Sequence, residues 1–125
     1  MSNDNNDNGA LVCKVVLVGE SSVGKTCITN RFVYDSFDYH EPTTISASYT
    51  NKTISFDEFQ GKSIKFEIWD TVGQEKYRAI TKIFYKDANI AILVYDITDK
   101  NSFEDIKNYW YKQLDDNAPK NINKL

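Results

Sequence analysis

The sequence has few cysteines, no excess of positive charge and no long apolar run. Its two cysteines, Cys13 and Cys27, are too few for a disulfide framework and lack metal-binding spacing, so we expect two buried, reduced thiols in a cytosolic protein. The net charge of −3, without a basic cluster, argues against a nucleic-acid partner. No segment has the length of a transmembrane helix, and no signal peptide is visible.

Signals for lipid attachment are missing as well. The Met1-Ser2 start does not fit N-myristoylation, and the final Asn-Lys-Leu contains no cysteine for prenylation. We therefore expect no direct membrane anchor in this chain and a cytoplasmic location.

The length of 125 residues allows one domain, and the 41% of hydrophobic residues can supply a core. Residues 1–9 are rich in Asn and Asp and have nothing to bury, so we expect a disordered tail. Residues 10–125 are then the folded domain.

A glycine-rich stretch carries the clearest chemical signal. Residues 19–26 read Gly-x-x-x-x-Gly-Lys-Thr, between an apolar strand at Ala10–Val18 and a helix predicted over about Val23–Val33. The two glycines permit a tight turn that aims backbone N–H groups at one point, where the positive end of the helix also lies. Lys25 adds a charge for outer phosphates, and the Thr26 hydroxyl suits Mg²⁺. The alternative is a glycine turn before an ordinary helix.

The remaining pattern predicts an α/β fold with the order β-α-β-β-α-β-α. The first helix is expected to bury Cys27, Ile28 and Phe32. The later elements are a hairpin of Ser46–Phe56 and Ser63–Trp69, a helix at Gln74–Lys86, a strand at Ile90–Tyr95, and a helix from a Ser102 cap to about Leu114. Tyr34–Ile45 reads as a long loop, and Asp115–Leu125 has turn composition. This order predicts a mostly parallel sheet with helices on both faces. Gly19, Asp70 and Asp96 would meet at the carboxyl ends of its strands.

Three further stretches resemble the small Ras-like GTPases of the Rab branch, and most of all its endosomal subgroup. They are Lys14–Glu20, the run from Phe66 through Asp70-Thr71-Val72-Gly73-Gln74-Glu75, and Leu93–Thr98. The similarity also includes Thr44-Ile45, Ser102-Phe103 and Trp110. The resemblance implies a P-loop NTPase fold that binds GTP or GDP with Mg²⁺ and hydrolyses GTP in vesicle traffic.

The resemblance also implies the site residues. Nucleotide binding falls to Gly19, Glu20, Ser21, Ser22, Val23, Gly24, Lys25, Thr26, Cys27, Phe37, Thr44, Asp70 and Gly73. Phe37 would pack against guanine, and Gly73 would offer its N–H to the γ-phosphate. Mg²⁺ would be held by Thr26, Thr44 and Asp70. Catalysis would rest on Lys25 and on Gln74, which orients the attacking water.

Partners follow from the same resemblance. Tyr49, Trp69 and Phe84 match the aromatic trio that Rab proteins present to effectors, and an exchange factor and an activating protein are expected. From the residues alone, Phe37, Tyr49 and Phe84 could be core, with core and effector surface equally favoured for Phe84. Thr44 could be a strand residue, Asp70 a turn residue, and Gln74 an exposed helix start. Endosomal membranes would be reached only by a longer, prenylated form.

The sequence departs from the family at its end. The family continues with another strand and an Asn-Lys-x-Asp motif that reads guanine, and Asn121–Leu125 does not match it. We therefore expect a domain that is incomplete at the C-terminus, with the outer edge of the Ile90–Tyr95 strand unpaired. The alternative function is a non-hydrolysing remnant or interaction fragment with weak guanine selectivity. A small-molecule kinase is a third reading, but the region after Asp70 supplies neither an acceptor site nor lid arginines.

Overall fold

The computed structural model describes residues 11–20, 23–35, 48–70 and 84–125. Its strands are β1 Leu11–Val18, β2 Ser48–Ser55, β3 Ser63–Asp70, β4 Ile90–Leu93 and β5 Asn123–Lys124. They form one sheet in the order β2-β3-β1-β4-β5, in which β2 runs antiparallel to β3 and every other pair is parallel. The predicted α/β fold with a mostly parallel sheet is confirmed.

The central strand β1 shows why the sheet is covered on both sides. Successive side chains of a strand point to opposite faces, so Val16 and Val18 lie on one face while Val15 and Leu17 lie on the other. All four are buried, with at most 6% of their surface exposed. A near-continuous apolar run is typical of parallel strands with cover on both faces.

One face is closed by the last helical segment, which consists of α2 Lys100–Asp105, a π-helical turn Ile106–Trp110 and α3 Tyr111–Asn117. Its residues Ile106, Trp110 and Leu114 are buried in one cluster with Val16 and Val18. We call this side of the sheet the closed face.

The other side carries α1, Lys25–Tyr34, and is only partly covered. The prediction that this helix buries Ile28 and Phe32 is wrong, because these side chains are 43% and 36% exposed. They line the rim of an apolar groove of about 440 Å³ whose floor includes Leu17 and Ile68. Helical spacing gives the direction of a side chain but not what lies beyond it. We call this side the open face.

The predicted thiols and helix ends need small corrections. Cys13 and Cys27 are reduced but half-buried rather than buried. Helix α1 begins at Lys25 because Gly24, with φ of 105°, cannot belong to a right-handed helix. The last segment begins at Lys100, and its cap is Asp99, whose side chain accepts from the N–H of Asn101 at 3.0 Å, rather than Ser102. It ends at Asn117 rather than near Leu114.

The expectation of an unpaired edge on β4 is also wrong. Residues of the supposed turn region form β5, with Asn123 opposite Ile90 and Lys124 opposite Ala91. The N–H of Leu93 donates to the carbonyl of Leu125 at 2.9 Å and extends this pairing. Buried Ile122 anchors the strand, so packing overrides the weak strand propensity of Asn and Lys.

The predicted hairpin is confirmed. Its register runs from Ser48 opposite Asp70 to Ser55 opposite Ser63, and a 3₁₀ turn at Asp57–Phe59 connects the strands. The tail at residues 1–9 and most of the predicted 34–45 loop and 74–86 helix lie outside the described residues. No helix in the described ranges is long and apolar enough to cross a membrane.

Candidate functional site

The loop after β1 starts with a glycine that no other residue could replace. Gly19 has φ of +148°, and a Cβ built on it would lie 2.2 Å from the carbonyl oxygen of Val94. The N–H of Val94 in turn donates to the carbonyl of Val18 at 2.8 Å. Two backbones therefore pass in direct contact where β1 leaves the sheet, and this contact fixes the start of the loop.

The second glycine of the motif caps α1. Gly24 has φ of +105°, and a Cβ on it would meet no atom of the described residues within 4 Å. Its carbonyl accepts the N–H of Ile28 at 2.9 Å, which starts the helix. The first N–H groups of an α-helix have no partner within the helix, so the start of α1 is suited to an anion.

The lysine of the motif folds back over the loop. Lys25 is 5% exposed, and its Nζ donates to the carbonyls of Gly19 at 2.9 Å and of Glu20 at 2.6 Å. Burial lowers the pKa of Lys25, while the charges of Asp70 and Glu20 act in the opposite direction. The ammonium group is thus held on the loop by carbonyl oxygens.

The next residue joins α1 to the end of β3. The Oγ1 of Thr26 donates to Oδ2 of Asp70 at 2.5 Å. Asp70 is 1% exposed, and burial raises the pKa of its carboxyl group, against the hydrogen bond from Thr26 and the charge of Lys25. Its other oxygen, Oδ1, is buried without a hydrogen-bond partner among the described residues. A hydroxyl beside a buried carboxylate with a spare oxygen fits the preference of Mg²⁺ for oxygen ligands.

The strand ends meet as the sequence predicts, but the carboxylate of Asp96 is hydrogen-bonded within its own turn. The registers place Leu17 opposite Asp70 and Val18 opposite Leu93, so β1, β3 and β4 end at the same edge. The carboxylate of Asp96 accepts from the N–H and Oγ1 of Thr98 at 2.8 and 2.6 Å, which lowers its pKa. Asp96 therefore shapes the turn after β4.

The three aromatic residues proposed for partners do lie together. The ring centroids of Tyr49 and Trp69 are 4.9 Å apart, and those of Trp69 and Phe84 are 6.4 Å apart. Tyr49 is 45% exposed, Trp69 is half-buried and Phe84 is 8% exposed. The group thus runs from the surface into the core of the closed face.

The structure brings together only some of the predicted site residues. Of the loop residues, Val23 packs against the core of the open face and Cys27 lies half-buried in the first turn of α1. Six predicted residues lie outside the described ranges, and their roles stay predictions: Ser21, Ser22, Phe37, Thr44, Gly73 and Gln74.

One contact of the site could not be foreseen from the sequence. The Nε1 of Trp110 donates to Oε1 of Glu20 at 3.1 Å, across 90 positions of the chain. Neither residue type nor spacing marks this pair, since only the packing of the last helical segment brings them together.

A glycine loop after β1, a lysine folded over it, and a threonine–aspartate pair at the carboxyl edge of a parallel sheet define a P-loop α/β domain. The chain belongs to the Ras family, whose model matches residues 14–125.

Curated relatives agree with this assignment. The chain is 46% identical over 109 residues to GTP-binding protein ypt5 of Schizosaccharomyces pombe, covering 87% of this chain and 50% of the relative. It is 44% identical over 112 residues to Ras-related protein RABE1d of Arabidopsis thaliana and to Ras-related protein Rab-13 of Canis lupus familiaris, covering 90% of this chain and 50% and 53% of the relatives. The chain spans about half the length of the curated relatives it matches.

Proposed function

We propose that this chain is a Rab-type molecular switch that binds GTP and GDP, hydrolyses GTP and acts in vesicle and endosomal membrane traffic. The observation that carries the proposal is the meeting of Lys25, Thr26 and Asp70 at one edge of the sheet. The similarity to proteins named as GTP-binding or Rab-related supports it.

The loop and Lys25 would bind the phosphates. By resemblance, backbone N–H groups from Gly19 to Lys25 and the N-terminus of α1 would donate to the phosphates. Lys25 now donates to two loop carbonyls, and phosphate oxygens could replace them as stronger, charged acceptors. Binding would therefore draw the buried ammonium group from the loop onto the outer phosphates.

Thr26 and Asp70 would hold Mg²⁺, together with Thr44 by the family resemblance. A bound Mg²⁺ neutralises charge on the phosphate oxygens. Asp70 is suited to this role because it is buried beside Thr26 and keeps a spare oxygen, Oδ1. The cation would supply the partner that this oxygen lacks among the described residues, directly or through water.

Hydrolysis and switching would use residues outside the described ranges. By resemblance, Gln74 orients the attacking water, Gly73 donates its N–H to the γ-phosphate, and Phe37 packs against guanine. Loss of the γ-phosphate would release the loops that carry Thr44 and Gly73.

Partner binding follows the same resemblance. The exposed side of the Tyr49–Trp69–Phe84 group would bind effectors, while an exchange factor and an activating protein would set the nucleotide state. We propose a cytoplasmic location for this activity.

A second candidate is a fragment that binds partners but has little guanine selectivity. The register of β5 shows only that Asn123-Lys124 is not placed to bind the base, because Asn123 lies opposite Ile90, and Ile90 is level with Val15, three residues before β1 ends. This Asn-Lys pair therefore lies two to three residues short of the carboxyl edge where Gly19 and Asp70 lie. A base-reading aspartate would have to lie at the carboxyl edge, near the nucleotide.

A calorimetric titration with Mg²⁺–GDP, with ATP as competitor, separates the two candidates. The switch predicts tight binding that ATP does not displace. Equal weak binding of both nucleotides would favour the fragment, because a site that has lost its hydrogen bonds to the base cannot discriminate. No binding of either nucleotide would overturn the switch.

The Lys25→Ala variant tests the phosphate role. We expect GDP affinity to fall about a hundredfold, because a charge-assisted contact is lost. Lys112→Ala is the matched control, since this lysine is exposed on α3. Equal affinities of both variants would contradict the role of Lys25.

A further inference from the structure

A side-chain hydrogen bond connects the loop after β1 to the closed face. The indole Nε1 of Trp110 donates to Oε1 of Glu20 at 3.1 Å, and Trp110 is only 2% exposed. Glu20 directly follows Gly19, so this hydrogen bond is made to a residue of the glycine loop itself. The buried side chains of the last helical segment pack in one cluster with Val16 and Val18 of the sheet.

The π-helical turn places Trp110 for this contact. The N–H of Tyr111 bonds to the carbonyl of Ile106, five residues back, so this turn holds more residues than an α-helical turn. A wider turn suits the four-residue spacing of Ile106, Trp110 and Leu114, all of which are buried. The Tyr109 ring packs edge-on at 4.8 Å from that of Trp110. Isolated π-helical turns are frequent at functional sites.

The backbone of Glu20 is bonded to Lys25. The Nζ of Lys25 donates to the backbone carbonyl of Glu20 at 2.6 Å, while the side chain of Glu20 accepts from Trp110. The contact of Gly19 with the Val94 carbonyl holds the preceding residue. Glu20 thus connects buried Trp110 of the closed face to Lys25, the positively charged residue of the site.

We propose that Glu20 and Trp110 are a positioning pair that holds the glycine loop in its phosphate-binding shape. This inference rests on the proposed function. A loop that is already held in its bound shape loses less conformational entropy when a ligand orders it. Removing either side chain should therefore weaken nucleotide binding by loosening the loop.

The test uses three single variants of the 125-residue chain, the double variant Glu20→Ala/Trp110→Phe and a matched control. Glu20→Ala removes the acceptor, Glu20→Gln keeps an oxygen acceptor, and Trp110→Phe keeps an aromatic ring without the N–H. Glu104→Ala is the control, because it removes an equal charge from α2, where Glu104 pairs only loosely with Lys107 at 3.8 Å. Circular dichroism and thermal melts confirm that each variant is folded.

The first measurement is the Mg²⁺–GDP affinity by calorimetry. We expect Glu20→Ala and Trp110→Phe each to weaken binding about tenfold, the double variant no more than either one, and Glu20→Gln and Glu104→Ala less than about twofold. Unchanged affinity in folded Glu20→Ala and Trp110→Phe, or additive losses in the double variant, would overturn the pair.

The second measurement does not depend on nucleotide. Amide hydrogen exchange at Gly24, Lys25 and Thr26 in the nucleotide-free chain should be faster in Glu20→Ala and Trp110→Phe than in Glu20→Gln. If the unaltered chain fails to bind GDP, the proposed switch fails, and this measurement still judges the pair. Equal exchange in all variants would overturn it.

Discussion

The two faces of the sheet are built from the same strands but differ in how completely they are covered. On the closed face, Val16, Trp110 and Leu114 are at most 2% exposed. On the open face, Ile28 and Phe32 of α1 remain 43% and 36% exposed above an apolar groove of about 440 Å³. Stability should therefore depend mainly on the closed face, while the open face offers apolar surface for binding.

The largest effect is expected from a truncation on the closed face. Leu114→Ala should lower the free energy of unfolding by about 2–5 kcal/mol, because it leaves a cavity among fully buried side chains. Ile28→Ala on α1 is the matched control and should cost less than about 1 kcal/mol, since its side chain is already 43% exposed. Urea unfolding followed by circular dichroism measures both. Equal losses would mean that the two faces contribute alike.

A smaller effect is expected on the open face. Phe32 packs edge-on against Phe66 with ring centroids 5.6 Å apart. Phe32→Ser should cost about 1 kcal/mol and should lower the fluorescence of the apolar dye ANS, because contiguous exposed apolar surface binds such dyes.

The control for the dye experiment is Phe103→Ser. Phe103 has a similar exposure of 40%, but it lies on α2, where its ring centroid is 4.9 Å from that of Tyr95. Dye fluorescence should change little in this variant. An equal fall in both variants would show that the dye does not read the groove.

The smallest effect is a gain in stability at the edge that both faces share. Burial raises the pKa of Asp70, so the folded, nucleotide-free chain holds this proton to a higher pH than the unfolded chain does. The corresponding stability is complete below the unfolded value of 3.8 and is lost as pH rises through the folded pKa. Asp70→Asn should therefore melt above the parent at pH 7.

The two chains should differ less at pH 3.5 than at pH 7. Differential scanning fluorimetry in EDTA at both pH values measures this difference. A melting temperature of Asp70→Asn below that of the parent at pH 7 would contradict a burial cost at Asp70. The variant should also lose any Mg²⁺-dependent gain in nucleotide affinity.

Local sequence signals predicted the parts of the fold that depend on neighbouring residues. The run before Gly19, the hairpin around Gly61 and the helical spacing of Ile106, Trp110 and Leu114 all gave the correct elements. At the site, the spacing of Lys25 and Thr26 and the strand preceding Asp70 were enough to place these residues at one edge.

Features set by distant contacts could not be predicted. The pairing of Asn123 with Ile90 depends on the free edge of β4 and on the burial of Ile122, since Asn and Lys have little strand propensity. The exposure of Ile28 depends on what else covers the sheet. The bond between Glu20 and Trp110 depends on a π-helical turn, for which the sequence carries no recognised signal. The roles of Thr44, Gly73 and Gln74 rest on resemblance and stay predictions.

The position of the two tryptophans gives the protein its own optical reporters. Trp110 is buried and bonded to Glu20 of the glycine loop, whereas half-buried Trp69 precedes Asp70 and has the ammonium of Lys14 at 4.9 Å from its ring. The Trp110 indole therefore reports on the loop from the buried core, and the Trp69 indole reports on the carboxyl edge of the sheet from a more polar environment. Emission at short wavelength should come from Trp110 and emission at longer wavelength from Trp69. Ligand binding can therefore be followed on both sides of the site by intrinsic fluorescence, without an added label.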